Sequence, residues 1–138
     1  MQVFLSLGSN IGDRERNIKK ALTSLDVAEG MSRTALSEII GTKALGFDGA
    51  DFLNCVAGYS CSLSPEDLLS LCKRTEREMG RMDMPEYDAE GKRIYHDRII
   101  DIDILTYGDE HIATPTLTIP HPQLETRPFI RTLLEKIL

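Results

Sequence analysis

Tryptophan is missing from this chain, aromatic residues make up only 6% of it, and acidic side chains outnumber basic ones by 22 to 16. A nucleic-acid binder relies on a broad positive field and on aromatic stacking platforms. The net charge of −6 therefore argues against that class, and equally against an anionic-membrane binder. Cysteine is also sparse. Cys55, Cys61 and Cys72 are odd in number, lack C-x-x-C spacing and sit in apolar or amphipathic runs, so they read as free core thiols in a reducing cytosol. No basic segment precedes a long apolar one, so neither a signal peptide nor a membrane span is expected, and the chain reads as soluble and cytoplasmic. Gly8-Ser9-Asn10-Ile11-Gly12 has no following Lys-Ser or Lys-Thr, which excludes a P-loop kinase.

What the chain does have is enough apolar content, 41% of 138 residues, to build one core in a single domain spanning residues 1–138. Val3 to Leu7 reads as a strand that turns through glycines into a helix capped by Asp13, with Ile18, Ala21, Leu22 and Leu25 on one face. Ser32 to Ile40 and Phe52 to Leu63 read as strands, separated by a glycine-containing loop from Gly41 to Asp51. Ser64-Pro65-Glu66-Asp67 opens a second helix, whose buried face is Leu68, Leu71, Cys72, Thr75 and Met79 and whose stop is Gly80. Met82 to Asp97 shows no period and reads as a long binding loop or lid. A strand from Ile99 to Tyr107 and a final helix capped by Thr126 complete the order, with Ile130, Leu133, Leu134 and Ile137 facing inward. Strand, helix, strand, strand, helix, strand is the ferredoxin-like βαββαβ pattern of α+β proteins. It predicts an antiparallel sheet with helices on one face and an added C-terminal helix.

Within the Ile99–Tyr107 strand, Asp101 and Asp103 lie two residues apart in an otherwise apolar run. Side chains at i and i+2 share a strand face roughly 7 Å apart, where two like charges repel by about 2 to 2.5 kcal/mol at an effective dielectric near 20. A hard divalent cation such as magnesium relieves that repulsion and keeps coordination sites open for phosphate, whereas no thiolate and imidazole cluster suits zinc. A solvated acidic face is the alternative, and from the pair alone the two stand level. Arg98 either neutralises the acids or reaches their ligand. His121 and Arg127 flank a helix start, where an imidazole and a guanidinium fork meet backbone amides that attract anions. Arg81, just past the glycine stop at Gly80, reads either as a solvated helix end or as a group thrown toward the long loop.

Taken together, L-G-S-N, then L-N in the third strand, E-x-x-x-G-R, R-x-x-D-x-D-I and P-H-P-x-L-x-x-R-x-F span nearly the whole chain. In that order and at that separation they closely resemble the 6-hydroxymethyl-7,8-dihydropterin pyrophosphokinase family. The resemblance implies transfer of the β,γ-diphosphoryl group of ATP to the hydroxymethyl oxygen of a reduced pterin, a step of folate synthesis, with two magnesium ions held by Asp101 and Asp103. It implies that Arg98, His121 and Arg127 contact the triphosphate and that Arg81 assists transfer. Lys73, Glu76, Ile104, Leu117 and Thr118 would line the nucleotide pocket. Phe52 and Phe129 would sandwich the pterin, with Gly8, Asn54 and the backbone from Thr42 to Leu45 completing its site. Lys73, Thr116 and Pro122 stand where relatives often have Gln, Arg and Tyr. The expected partners are ATP and the pterin, with no nucleic acid or membrane, and the expected state is a monomer. Two rivals use the same residues differently: a metal-dependent phosphohydrolase with water as nucleophile, and a ferredoxin-like RNA-binding module.

Overall fold

Capping and apolar period set the two long helices of the computed structural model, which describes residues 1–42, 51–80, 86–87, 89–90, 93–94 and 99–138. Strand β1 (Gln2–Ser9) leads to helix α1 (Arg14–Asp26), where Asp13 accepts the Arg16 N–H at 3.1 Å. Ile18, Ala21, Leu22 and Leu25 are all buried, one stripe of the helix as their spacing requires. Strands β2 (Met31–Leu36), β3 (Ile40–Thr42) and β4 (Phe52–Cys61) precede α2 (Pro65–Glu78). Ser64 caps α2 by accepting the Asp67 N–H at 3.1 Å, with Pro65 at the first helical position. Gly80, at φ +96°, takes the left-handed conformation that ends it.

The chain continues through β5 (Glu86–Tyr87), β6 (Arg93–Ile94), β7 (Asp101–Tyr107), β8 (Ile112–Ala113) and β9 (Thr118–Ile119) to α3 (Gln123–Thr126) and α4 (Pro128–Ile137). The main sheet has the order β2-β4-β1-β7, with β3 also on β4, and every pairing in it is antiparallel. This is an α+β protein, and both faces of its sheet are covered. Val3, Leu5 and Leu7 of β1 and Cys55 and Ala57 of β4 join the core with α1 and α2. Phe4 and Val56 alternate to the other side, where Leu105 and the α4 residues Ile130, Leu133 and Leu134 bury them. The C-terminal helix thus lies across the sheet from the other two, on the face expected to be free of helices.

Several expectations are corrected. The strand from Ser32 to Ile40 is two strands, because the Ser37 hydroxyl accepts the Val56 N–H at 2.8 Å while its own N–H donates to Val56 O at 2.8 Å. A side chain replaces the main-chain acceptor there, and the register slips by one residue between Leu36↔Ala57 and Ile40↔Asn54. Strand β4 ends at Cys61 rather than Leu63. The long segment after Gly80 is not without strands: Glu86↔Ile94 and Tyr87↔Arg93 pair antiparallel. Thr126 does not cap the last helix but closes α3. Pro128 biases Arg127 out of the helical region, so the helix restarts at the proline with Arg127, at φ −127°, as an N-cap without a side-chain bond.

Strand β7 begins at Asp101 and is irregular once. Its pairing with β1 runs Ser6↔Asp103 and Leu5↔Ile104, then jumps to Phe4↔Thr106, leaving Leu105 as an extra residue. Upstream of this bulge the even residues Ile100, Ile102 and Ile104 enter the α1/α2 core; downstream it is the odd Tyr107 that does.

Candidate active site

Asp101 and Asp103 are half-buried on the sheet face that α3 and α4 partly cover, opposite the buried isoleucines. The register sets Asp103 beside Ser6 and Asp101 beside Gly8 on the central strand, and Gly8 in turn beside Asn54 of β4. Gly8 is needed here for space. A Cβ on it would lie 2.8 Å from Asn54 Oδ1 and 3.4 Å from Phe52 Cδ1. Asn54 is buried and donates from Nδ2 to Thr42 Oγ1 at 2.7 Å. Gly8, Thr42, Phe52 and Asn54 are therefore brought together, one strand away from the acidic pair.

On the other side of the acids, a cavity of about 280 Å³ is lined by Lys73, Asp103, Ile104, Leu117, Thr118 and His121, with Ile102, Thr116 and Pro122 among its further walls. Glu76 does not line it. That residue is fully buried at the α2–β7 contact, where Oε2 accepts the Ile102 N–H at 2.8 Å and Oε1 lies 3.5 Å from Lys73 Nζ at the rim. Since β7 pairs only with β1 in the sheet among the described residues, Glu76 satisfies an outward-pointing amide of this strand.

His121 Nδ1 accepts the Gln123 N–H at 3.1 Å, so the neutral ring carries its proton on Nε2, 3.8 Å from Asp103 Oδ1. Burial pushes its pKa below 6.5, Asp101 opposes that shift and Arg127 adds to it. The ring is thus a neutral donor facing the acids at neutral pH. Arg127 stacks over the Phe129 ring with Cζ 4.7 Å from the centroid, and its Nε is buried with no hydrogen-bond partner among the described residues. One face of the half-buried Phe129 ring is therefore occupied by a guanidinium. Arg81, Arg98 and Leu45 lie outside the described residues.

Sequence reasoning missed Gln123. It is buried, donates to Ser6 Oγ at 3.1 Å and to Asp103 Oδ2 at 3.3 Å, and accepts from Arg127 Nη1 at 3.4 Å. Its spacing of four from Arg127, with His121 two residues before it, was the available signal.

The donor set fits magnesium better than a metal caged by protein alone. Among the described residues no three His, Cys, Asp or Glu side chains gather as a cation site, while the acidic pair offers oxygens on an open face beside a cavity. Magnesium characteristically takes one or two carboxylates and completes its shell with water and substrate phosphate. An acidic pair flanked by an imidazole donor, a guanidinium and a cavity, on an α+β frame, fits an enzyme that handles a phosphorylated substrate through a hard cation.

Comparison with known proteins gives the family. The model of the 7,8-dihydro-6-hydroxymethylpterin-pyrophosphokinase (HPPK) family matches residues 4–138. A 2-amino-4-hydroxy-6-hydroxymethyldihydropteridine pyrophosphokinase of Porphyromonas gingivalis is 39% identical over 137 residues, 98% of this chain and 89% of the relative. A protein of the same description from Aquifex aeolicus is 42% identical over 96% of this chain and 78% of its own length. The mitochondrial folate synthesis bifunctional protein of Pisum sativum is 38% identical over 99% of this chain, which spans 25% of that longer protein. The chain belongs to the HPPK family.

Proposed function

We infer that this chain transfers the β,γ-diphosphoryl group of ATP to the hydroxymethyl oxygen of 6-hydroxymethyl-7,8-dihydropterin, releasing AMP, as a step of tetrahydrofolate synthesis. The observation that carries this is the arrangement around the β1–β7 side of the sheet. The acidic pair stands between the cavity beside Lys73 and His121 and the group made by Gly8, Phe52 and Asn54. Donor and acceptor substrates placed on either side of the acids would meet over them.

In that mechanism Asp101 and Asp103 would hold two magnesium ions, which would supply charge neutralisation for the triphosphate and favour its alignment for transfer. The neutral Nε2–H of His121 and the guanidinium of Arg127 donate to phosphate oxygens, and the buried, unpartnered Nε of Arg127 supports an anion as its missing acceptor. Arg98 adds a further triphosphate contact and Arg81 assists transfer. The nucleotide lies against Lys73, Ile104, Leu117 and Thr118, and Glu76 holds the β7 edge that backs it. Phe52 and Phe129 stack on the pterin, for which Arg127 either vacates its side of the Phe129 ring or leaves the opposite one. Asn54, fixed by Thr42, reads the amide-like edge, with Gly8 leaving room and backbone near Leu45 completing the pocket.

The strand order β2-β4-β1-β7 supports a ferredoxin-like arrangement. The further parts of the proposal are a single domain, a monomer, small-molecule partners without nucleic acid, and a cytoplasmic setting that suits three free buried thiols. Incubation with ATP, magnesium and the reduced pterin tests the proposal. AMP should form only when the pterin is present. ADP or free phosphate released without it would identify a hydrolase instead.

A further inference from the structure

Gln123 is neutral and only 6% exposed, yet it touches three groups of the candidate site. Its Nε2 donates to Asp103 Oδ2 at 3.3 Å and to Ser6 Oγ at 3.1 Å, and its Oε1 accepts from Arg127 Nη1 at 3.4 Å. Its backbone N–H holds His121 Nδ1 at 3.1 Å. Chemistry fixes the orientation of the amide. A carboxylate accepts and a guanidinium donates, so a flipped amide would lose both contacts. The alternative for Asp103 and Arg127 is to pair directly, a match that guanidinium and carboxylate make readily in bidentate form. Such a pair would tie up both groups that the reaction needs.

We propose that Gln123 is a positioning residue, a neutral spacer that keeps Asp103 and Arg127 from neutralising each other, so that the acid stays available to a divalent cation and the guanidinium to phosphate. This rests on the functional assignment made above. Three features act together: the amide engages acid and base at opposite ends, the Ser6 hydroxyl anchors it to the central strand, and the Phe129 ring restrains the guanidinium from a second side. Removing the amide while keeping its length, as in Gln123→Met, frees Arg127 to close on Asp103. The cation must then displace the guanidinium before it binds.

The experiment follows free Mn2+ by electron paramagnetic resonance as it binds the protein with an unreactive ATP analogue, alongside calorimetric titration of the pterin. Gln123→Met should weaken Mn2+ by about tenfold, the size of one charge-assisted hydrogen bond, and leave pterin affinity within about twofold. In Gln123→Met/Arg127→Met the competitor is gone, so Mn2+ affinity should return to that of Arg127→Met alone. A loss that persists in the double variant, or that strikes pterin equally, indicates general collapse of the site and overturns the proposal, as does unchanged Mn2+ binding in Gln123→Met. Gln123→Asn, one methylene too short to bridge, replaces the Met variant if that one melts early, and should show the same loss. Asp103→Asn separates the two levels: if it leaves Mn2+ binding unchanged the metal assignment itself fails, whereas a large effect there with none in Gln123→Met sinks the spacer alone.

Discussion

Replacing Gly8 by alanine adds a single methyl group, and its consequence can be worked from three distances. The new Cβ would lie 2.8 Å from Asn54 Oδ1, 3.7 Å from Asn54 Cγ and 3.4 Å from Phe52 Cδ1. The first is too short to persist. If Asn54 rotates away, it loses the 2.7 Å bond to Thr42 and leaves a buried amide unsatisfied, which costs about 1–3 kcal/mol. If the β1–β4 ladder spreads instead, overpacking costs a similar 1–3 kcal/mol or so. At roughly 3–4 °C per kcal/mol for a chain of this size, the melting temperature should fall by about 3–12 °C. Calorimetric titration should show pterin affinity reduced far more than affinity for an ATP analogue. A double-mutant cycle isolates the cause. Asn54→Ala removes the colliding oxygen, so adding Gly8→Ala in that background should be milder than in wild type by roughly 1 kcal/mol. Additivity to within about 0.5 kcal/mol, or a Gly8→Ala protein with unchanged stability and pterin affinity, would refute the contact as the reason for glycine.

Asp101→Asn and Asp103→Asn should each abolish turnover while leaving thermal stability intact or slightly raised, because mutual repulsion disappears; AMP formation within about tenfold of wild type in either counts against the metal assignment. Glu76→Ala leaves the buried Ile102 N–H without its acceptor and should destabilise by about 1–3 kcal/mol in urea unfolding, whereas Glu76→Gln retains an acceptor and should recover most of it. In metal-free buffer the depressed pKa of His121 contributes stability that is fully present above 6.5 and is lost as pH falls below it, so His121→Asn should flatten the melting-temperature profile on the acid side of pH 6.5. Burial pushes the Cys55 thiol up to about 12 and raises that of Cys72, and Cys61 is buried as well, so a thiol reagent at pH 8 should label native protein negligibly and three thiols after unfolding.

The parts of the fold legible in the sequence were those written by period and cap. Asp13 and Ser64 start α1 and α2 as their side chains dictate, and the stripes Ile18-Ala21-Leu22-Leu25 and Leu68-Leu71-Cys72-Thr75 are buried. What escaped depends on side chains acting at a distance. Nothing local in Ser32 to Ile40 announces that the Ser37 hydroxyl will take the amide of Val56, nineteen residues away, and split the strand. The pairings β5–β6 and β8–β9 involve two residues per strand, too few for alternation to register. Glu76 was half visible: it falls four residues after Cys72 and eight after Leu68, on the buried stripe, but a charge there contradicts the pattern until the outward-pointing amide of β7 supplies a reason. Of the candidate site, the acidic pair followed from alternation, while Gln123 escaped because a neutral residue opening a four-residue helix offers only its spacing from Arg127 and no charge to notice.

The extra residue at Leu105 divides β7 into two stretches with opposite allegiance. Ahead of it, odd-numbered positions belong to the acids and the reaction face; behind it, Tyr107 shows that odd-numbered positions belong to the oily interior. Deleting that one leucine would make the ladder regular, with Ile104, Thr106 and Tyr107 consecutive opposite Leu5, Phe4 and Val3, so the acids and the tyrosine would keep their faces. What would go is the buried side chain that the extra position hands to Phe4 and the last helix, so the irregularity is a graft: one added anchor for the C-terminal helix in a strand that otherwise alternates without interruption.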